Sequence, residues 1–274
     1  MTTTLRPTEP LRHDPDGTRS QRYQVCVNGR PIGGIHLSTH PEYGPTVACL
    51  AELRIEEPDR GRGRGTVAAL AAEEVARGWG CKRIEGSVPG DAEAARRLAT
   101  TLGYVLRSRN MEKRLGPDVP RLPAGLVARP MTEAEYGPWR AQAREGFARS
   151  LIERGASTDE AYDKAEQSDV RFLPDGLASA NTVISVLESD GDPVGVLWLG
   201  LWPDSAFVLD VEVHAEHRGR GHGRTLMRLA EAQAAEGGKD RIALHVFAGN
   251  DPAERLYISL GYETTSYNFY KDLA

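Results

Sequence analysis

The string Arg218-Gly219-Arg220-Gly221-His222-Gly223-Arg224 lies between an apolar run and a helix-like stretch. A glycine loop that opens a helix presents several backbone N–H groups, which together with the helix dipole attract an anion, typically a phosphate. Gly221 and Gly223 let the backbone approach an oxyanion without a Cβ clash, and Arg218, Arg220 and Arg224 add charge-assisted donors. The alternatives are a solvated basic turn and an RNA-binding Arg-Gly segment. Such RNA-binding segments are low-complexity and repeated, whereas this loop is pinned between a strand and an amphipathic helix. On the preceding strand, Phe207, Leu209, Val211 and Val213 share one face, and Asp210 and Glu212, followed by His214, share the other. Carboxylates on an interior strand are costly to bury unless their face lines a wet cleft. A solvated strand face explains them equally well. No spacing of His, Cys, Asp or Glu suggests a metal site.

These residues need a frame to hold them. The pattern predicts a short strand at 126–129 and helices at 133–154 and 158–172, the second capped by Ser157. A hairpin follows, 182–187 with 194–201, around Asp190-Gly191. Then come the strand 207–213, a helix 224–236 stopped by Gly237-Gly238, a strand 242–247, a helix 252–260 stopped by Gly261, and a strand 266–273.

The first half repeats this plan. Arg60-Gly61-Arg62-Gly63-Arg64-Gly65 copies the loop 158 positions earlier, and Leu102-Gly103-Tyr104 matches Leu260-Gly261-Tyr262 at the same offset. Asn110, Lys113 and Leu115 likewise match Asn268, Lys271 and Leu273. Upstream the offset becomes 162, with Gly29, Pro31 and Gly33 matching Gly191, Pro193 and Gly195, as a hairpin of unequal length requires. A period this long is a domain duplication. Only about 20 residues precede the first copy, too few for the two helices of 133–172. The seam is expected in the proline-rich 116–123, giving domains 1–118 and 119–274.

At 274 residues, each of two domains can bury its own core. A net charge of −5 gives no general affinity for nucleic acid or anionic membrane. No apolar run is long enough to span a bilayer, and the polar N-terminus lacks the core of a signal peptide. Cys26, Cys49 and Cys81 all lie in the first half amid apolar neighbours, which suits buried thiols in a reducing cytoplasm.

The succession of acidic strand, Arg-x-x-Gly-x-Gly loop, alanine/leucine helix, Leu244-His245-Val246-Phe247, Asn250, Ala253, Leu256-Tyr257 and Leu260-Gly261-Tyr262 resembles the GCN5-related N-acetyltransferase superfamily. The resemblance covers essentially all of 126–274. It implies an α/β (α+β) fold of two tandem domains, each a mixed, mostly antiparallel sheet flanked by helices, with a splayed strand pair at the cofactor cleft. By the same resemblance, Arg218, Gly219, Arg220, Gly221, His222, Gly223 and Arg224 hold the pyrophosphate of acetyl-CoA. Val211 and Val213 lie along its pantetheine arm, and Asn250 and Tyr257 contact the cofactor. A tyrosine hydroxyl beside the sulfur can protonate the departing thiolate. An amine is mostly protonated at neutral pH, so a base must accept its proton; Glu212 is the first choice and His245 the second.

In the first half, Arg54, Ala99, Ala92 and Ser87 stand where Glu212, Tyr257, Asn250 and His245 stand in the second. That copy keeps the loop but lacks the catalytic groups, and a structural role is preferred for it over an effector site. The expected activity is acetyl transfer from acetyl-CoA to a small-molecule or peptide amine, by direct attack and without a metal. A longer acyl donor, or a CoA-binding sensor or scaffold without turnover, are the other readings. Trp198, Trp202, Tyr267 and Tyr270 are candidates to line an acceptor cleft, although aromatic strand residues usually pack a core. A cytoplasmic protein is expected, as a monomer with an internal pseudo-dimer or as a homodimer.

Overall fold

The computed structural model describes residues 2–15, 17–41, 43–117, 120–153 and 156–273. In chain order the first elements are β1 (Thr3–Pro7), β2 (Arg12–His13), β3 (Arg19–Val27), β4 (Arg30–His40), β5 (Gly44–Ile55), α1 (Arg64–Gly78), β6 (Arg83–Pro89), α2 (Glu93–Thr101) and β7 (Val105–Arg114). Then follow β8 (Leu126–Pro130), α3 (Glu133–Ile152), α4 (Thr158–Phe172), β9 (Thr182–Ser189), β10 (Asp192–Leu201), β11 (Ala206–Val213), α5 (His222–Glu236), β12 (Arg241–Phe247), α6 (Asp251–Ser259) and β13 (Glu263–Asp272).

The chain forms two compact units, Met1–Arg109 with Thr265–Ala274, and Asn110–Thr264. In the first unit the strand order is β1-β3-β4-β5-β6-β13, and in the second β8-β9-β10-β11-β12-β7, with β7 starting in the first unit and belonging to the second from Asn110 onward. The two sheets have the same plan. In each, three antiparallel pairs lead to one parallel pair, β5–β6 or β11–β12. The mixed, mostly antiparallel sheet expected for each copy is therefore present. β1 occupies the place of β8, and among the described residues the chain passes from β1 through the short β2 to β3 with no counterparts of α3 and α4.

The last strand of each half completes the sheet of the other. Met111 of β7 is buried in the second unit with Leu226, Ile242 and Leu244. Phe269 and Leu273 belong to the core of the first unit with Leu37, Ala72 and Ile84. The 118/119 boundary itself falls on residues outside those described, as does Arg154, the expected end of the first long helix. A proline-rich connector marks where the chain leaves regular structure, but β7 has by then already entered the second unit. Connector composition therefore carries no information about strand membership.

Local chemistry explains the elements around the site. Asp190 (φ 53°) and Gly191 (φ 90°) make the two-residue turn between β9 and β10, and Asn28 with Gly29 does the same between β3 and β4. The four-residue offset lies in the longer β4–β5 hairpin, as expected. Capping boxes open α3 (Thr132 with Glu135) and α4 (Ser157 with Glu160). β10 is buried on both faces from Val194 to Leu199, between the core under α5 and the cluster of Trp139, Ile184, Val186 and Trp198 under α3. Among the described residues, no helix is long and apolar enough to cross a membrane.

Candidate active site

The strands β11 and β12 are laddered at Ala206–Ile242, Phe207–Ala243 and Val208–Leu244. Past that point β11 stays on β10 up to Val213 while β12 runs on to Phe247, so the ladder ends beside Leu209 and His245. A register shift opposite Trp198 and Leu199 leaves Leu209 as an extra residue, a β-bulge. The bulge reverses the alternation. Ala206 and Val208 pack into the core with Leu226, and beyond the bulge Val211 and Val213 do so. Leu209 instead joins Trp139 and Trp198, and Phe207 stacks on Trp202 at 5.3 Å. The single apolar face expected for Phe207, Leu209, Val211 and Val213 is thus split between the two sides of the sheet.

Four candidate acid–base groups belong to this part of the second unit. Asp210 is half-buried; loss of solvent, and then the charge on Glu212, push its carboxyl up to about 6. Tyr257 is buried in the α5–α6 core, and burial, followed by the charge on Asp210, raises its hydroxyl to about 12. Glu212 accepts from Gln142 Nε2 of α3, at 3.0 Å and 3.2 Å to its two oxygens. His245 is exposed, its Nδ1 2.8 Å from Asn110 Oδ1 and its ring edge-on to Phe247. Asp210 thus joins Glu212 as a base candidate. Its only sequence signal was the shared polar face, and the structure distinguishes it by burial and by its electrostatic link to Tyr257.

The loop has the geometry of an anion cradle. Gly219 (φ 78°) and Gly221 (φ 87°) are left-handed, a conformation that strains any L side chain. Unlike α3 and α4, α5 has no side-chain cap and no acidic residue in its first turn, and its first helical bond runs from Thr225 N–H to Gly221 C=O. The N–H groups of the first turn therefore point at the mouth of the loop. Buried His222 adds a ring Nδ1 with no hydrogen-bond partner, its pKa lowered first by burial and then by the charges of His217 and Arg220. These features suit an anion such as a phosphate.

The arginines and glycines of the loop also have structural work. Arg218 Nε donates to the Val213 carbonyl at 3.1 Å, and Arg224 donates to Ser259 Oγ at 2.6 Å, so both fasten the loop to its neighbours. Arg220 is exposed on the loop itself. A Cβ on Gly223 would meet Leu256 at 3.3 Å, so this glycine permits α5 to sit close to α6. Asn250 caps α6, its Oδ1 accepting from Ala253 N–H at 3.4 Å. Gly195 was recognised only as part of the repeat, yet a Cβ there would lie 2.4 Å from the Glu212 carbonyl, so β10 can approach β11 only with glycine. Trp202 lines a cavity of about 220 Å³ with Phe172, Gly200 and Leu209, while Trp198 is core. Tyr267 and Tyr270 sit on β13, in the first unit.

The first unit keeps the scaffold and carries other residues at the candidate positions. Its ladder ends at the equivalent pair, Leu50–Gly86, and Gly61 and Gly63 are left-handed like their counterparts. Glu52, which takes the place of Asp210, is exposed and ion-paired with Arg22, and Ala99 packs in the core where Tyr257 would be. Asp59, buried beneath the loop, pairs with both Arg64 and Arg30.

Comparison with known proteins agrees with this geometry. The model of the acetyltransferase (GNAT) family matches residues 2–104 and 145–262, one region in each half. The chain belongs to this family of acetyltransferases, in tandem form. It is 33% identical over 149 residues to the uncharacterized N-acetyltransferase YdgE of Bacillus subtilis (strain 168), covering 52% of this chain and 95% of that protein. It is 30% identical over 271 residues to a mycothiol acetyltransferase of Thermobispora bispora, covering 90% of this chain and 87% of that one. A solved GCN5-related N-acetyltransferase from Sphaerobacter thermophilus shares the fold, with a TM-score of 0.55 at 18% identity over 92% of this chain and 80% of that one.

Proposed function

We propose that the second unit transfers acetyl from acetyl-CoA to a primary amine by direct attack in a ternary complex. One observation carries the reading: Asp210, just past the end of the β11–β12 ladder, is electrostatically linked both to Glu212, which accepts from Gln142 of α3, and to Tyr257, which is buried in the α5–α6 core. An acceptor reaching the opening from the α3 side would find carboxylates first. The loop 218–224 and its uncapped helix would hold the diphosphate, and the backbone of Val211 and Val213 would lie along the pantetheine arm. Acetyl-CoA, when bound, supplies the thioester.

Asp210, with the Glu212 carboxylate two residues on along β11, accepts the ammonium proton. A group titrating at about 6 is mostly ionised at neutral pH, yet basic enough to take part. Tyr257, with its hydroxyl protonated at neutral pH, returns a proton to the departing thiolate. His245, with its Nδ1 beside Asn110, is the remaining base candidate. A covalent relay through cysteine finds no support, because Cys26, Cys49 and Cys81 all lie in the first half. The match to proteins named mycothiol acetyltransferase over most of the chain favours a small-molecule acceptor. In the first unit, the replacements at Glu52, Arg54, Ser87 and Ala99 favour a supporting role.

The test is a panel of primary amines with acetyl-CoA, scored by released thiol. Turnover that is lost in Asp210→Asn with Glu212→Gln, while acetyl-CoA still binds, supports the proposal. Binding without turnover on any amine would replace it with a CoA-sensing protein.

A further inference from the structure

We infer that a cavity between the end of α4, the start of β9 and the β10–β11 hairpin is a ring-binding site, and that the acceptor of the second unit is a primary amine carrying a single ring on a short linker. The ring site stands on geometry alone; its assignment to the acceptor rests on the acetyl-transfer reading. The cavity measures about 220 Å³. An apolar cavity of about 150 Å³ already takes up benzene, so this one admits one ring with its first substituent. Phe172 and Trp202 wall it, their ring centroids 5.8 Å apart, and Phe207 backs Trp202 at 5.3 Å. Such rings favour a further ring placed edge-on or offset against them. Trp202 N–H donates to the Ser205 carbonyl at 2.9 Å, closing the turn that presents the indole. A Cβ on Gly200 would meet two carbons of that indole at 3.1 Å and 3.3 Å, so glycine here lets the ring lie against β10.

The polar groups of the lining do not call for an ion. Thr182 accepts from Trp198 Nε1 at 2.7 Å and donates to the Leu199 carbonyl at 3.4 Å, which occupies its hydroxyl. Asp175 and Asn181 are exposed, at the rim. The bulge at Leu209 joins this cavity to the chemistry. Asp210 is opposite Trp198 and Glu212 opposite Val196, and both partners belong to the cluster under α3 that also takes Leu209. Residues paired across strands share a face, so Leu209, Asp210 and Glu212 lie on one side of the sheet. Leu209 lines the cavity, and the next residue is the base candidate. Neighbouring residues are about 3.8 Å apart, so a linker of about two or three carbons carries an amine from the ring to that carboxylate. The first copy has Ala51 in place of Leu209 and, among the described residues, no counterpart of α4. The cavity thus belongs to the copy that holds Asp210 and Tyr257.

The experiment uses the full-length protein in two arms. The first follows 2-phenylethanol, a ring without an amine, by ligand-observed NMR and calorimetry, with saturating CoA so that the cofactor cleft cannot take the ring. Saturable one-to-one binding is expected. Trp202→Ala, which removes a wall, and Ala180→Trp, which fills the cavity from an exposed position, should each weaken it at least 10-fold. Arg228→Gln, on the exposed face of α5, should leave it within twofold. The second arm compares 2-phenylethylamine with ethylamine as acceptors of acetyl from acetyl-CoA. kcat/KM should be at least about 10-fold higher for the ring-bearing amine, a modest return where one methylene is worth about 10-fold or more. Ala180→Trp should bring the ratio to within about twofold of unity. Failure of the alcohol to saturate, or binding undiminished in both cavity variants, would overturn the ring site. Binding of the alcohol with equal use of the two amines would overturn its assignment to the acceptor. Binding of the alcohol with no turnover of any amine would sink the acetyl-transfer reading and that assignment with it, and would leave the ring site standing.

Discussion

The ammonium of Lys113 donates to Glu231 at 2.8 Å, joining a strand of the first half to a buried helix position 118 residues later. Its twin is Lys271 with Glu73, at 2.7 Å and 2.9 Å, and each lysine also lies over a tyrosine ring, Tyr262 or Tyr104. Both pairs obey the 158-residue offset. Removing one partner of such a pair leaves a buried carboxylate uncompensated. Lys113→Met should therefore cost about 3–5 kcal/mol in denaturant unfolding, and adding Glu231→Leu should restore most of it. Equal stability of the single and double variants would show that the pair does not couple the strand to the helix.

The pH dependence follows from Asp210. Its carboxyl titrates at about 6, so activity should fall as pH drops through that value and the base is protonated. Glu212→Gln removes a repelling charge and should shift this acid limb to lower pH. A limb that stays in place would assign the titration to another group.

The same residue should oppose stability. A folded pKa above the unfolded value means that the native state binds the extra proton, so stability falls as pH rises from about 4 to about 6. Asp210→Asn should raise stability at neutral pH, by about 3 kcal/mol at most, while abolishing turnover. Thermal unfolding at pH 5 and pH 8 measures the difference between the two proteins, which should be larger at the higher pH.

Tyr257→Phe removes the proposed thiolate donor and leaves the ring in its core. kcat should drop about 10²-fold or more, within the usual range for general acids, with acetyl-CoA affinity changed less than about twofold. A loss confined to KM would point to a binding role.

Gly221→Ala places a side chain at φ 87° in the loop. The strain, about 1–2 kcal/mol, together with a displaced N–H array should weaken acetyl-CoA at least 10-fold by calorimetry. Gly223→Ala, whose Cβ would press on Leu256 at 3.3 Å, should chiefly lower the melting temperature.

What the sequence revealed was local chemistry. The Asp190-Gly191 turn, the Ser157 cap and the loop 218–224 all follow from neighbours in the chain. The bulge at Leu209 does not, because it depends on how β10 registers against β11, and with it went the assignment of faces. Arg218 and Arg224 read as anion donors, and their protein partners, Val213 and Ser259, come near them only by folding. Gln142 carried no signal at all. The membership of β7 and β13 was hidden for the same reason. Pairing partners more than 100 residues apart leave no periodicity that marks which copy they join.

The reciprocal loan of end strands means that severing the chain between residues 116 and 123 would not yield two autonomous modules. The upstream fragment would lack the segment bearing Phe269 and Leu273, and the downstream one the segment bearing Met111. Each would bare an open sheet margin ready to stick to itself. Only co-expressed fragments should regain a folded assembly, and truncated versions of this protein should be recovered as aggregates.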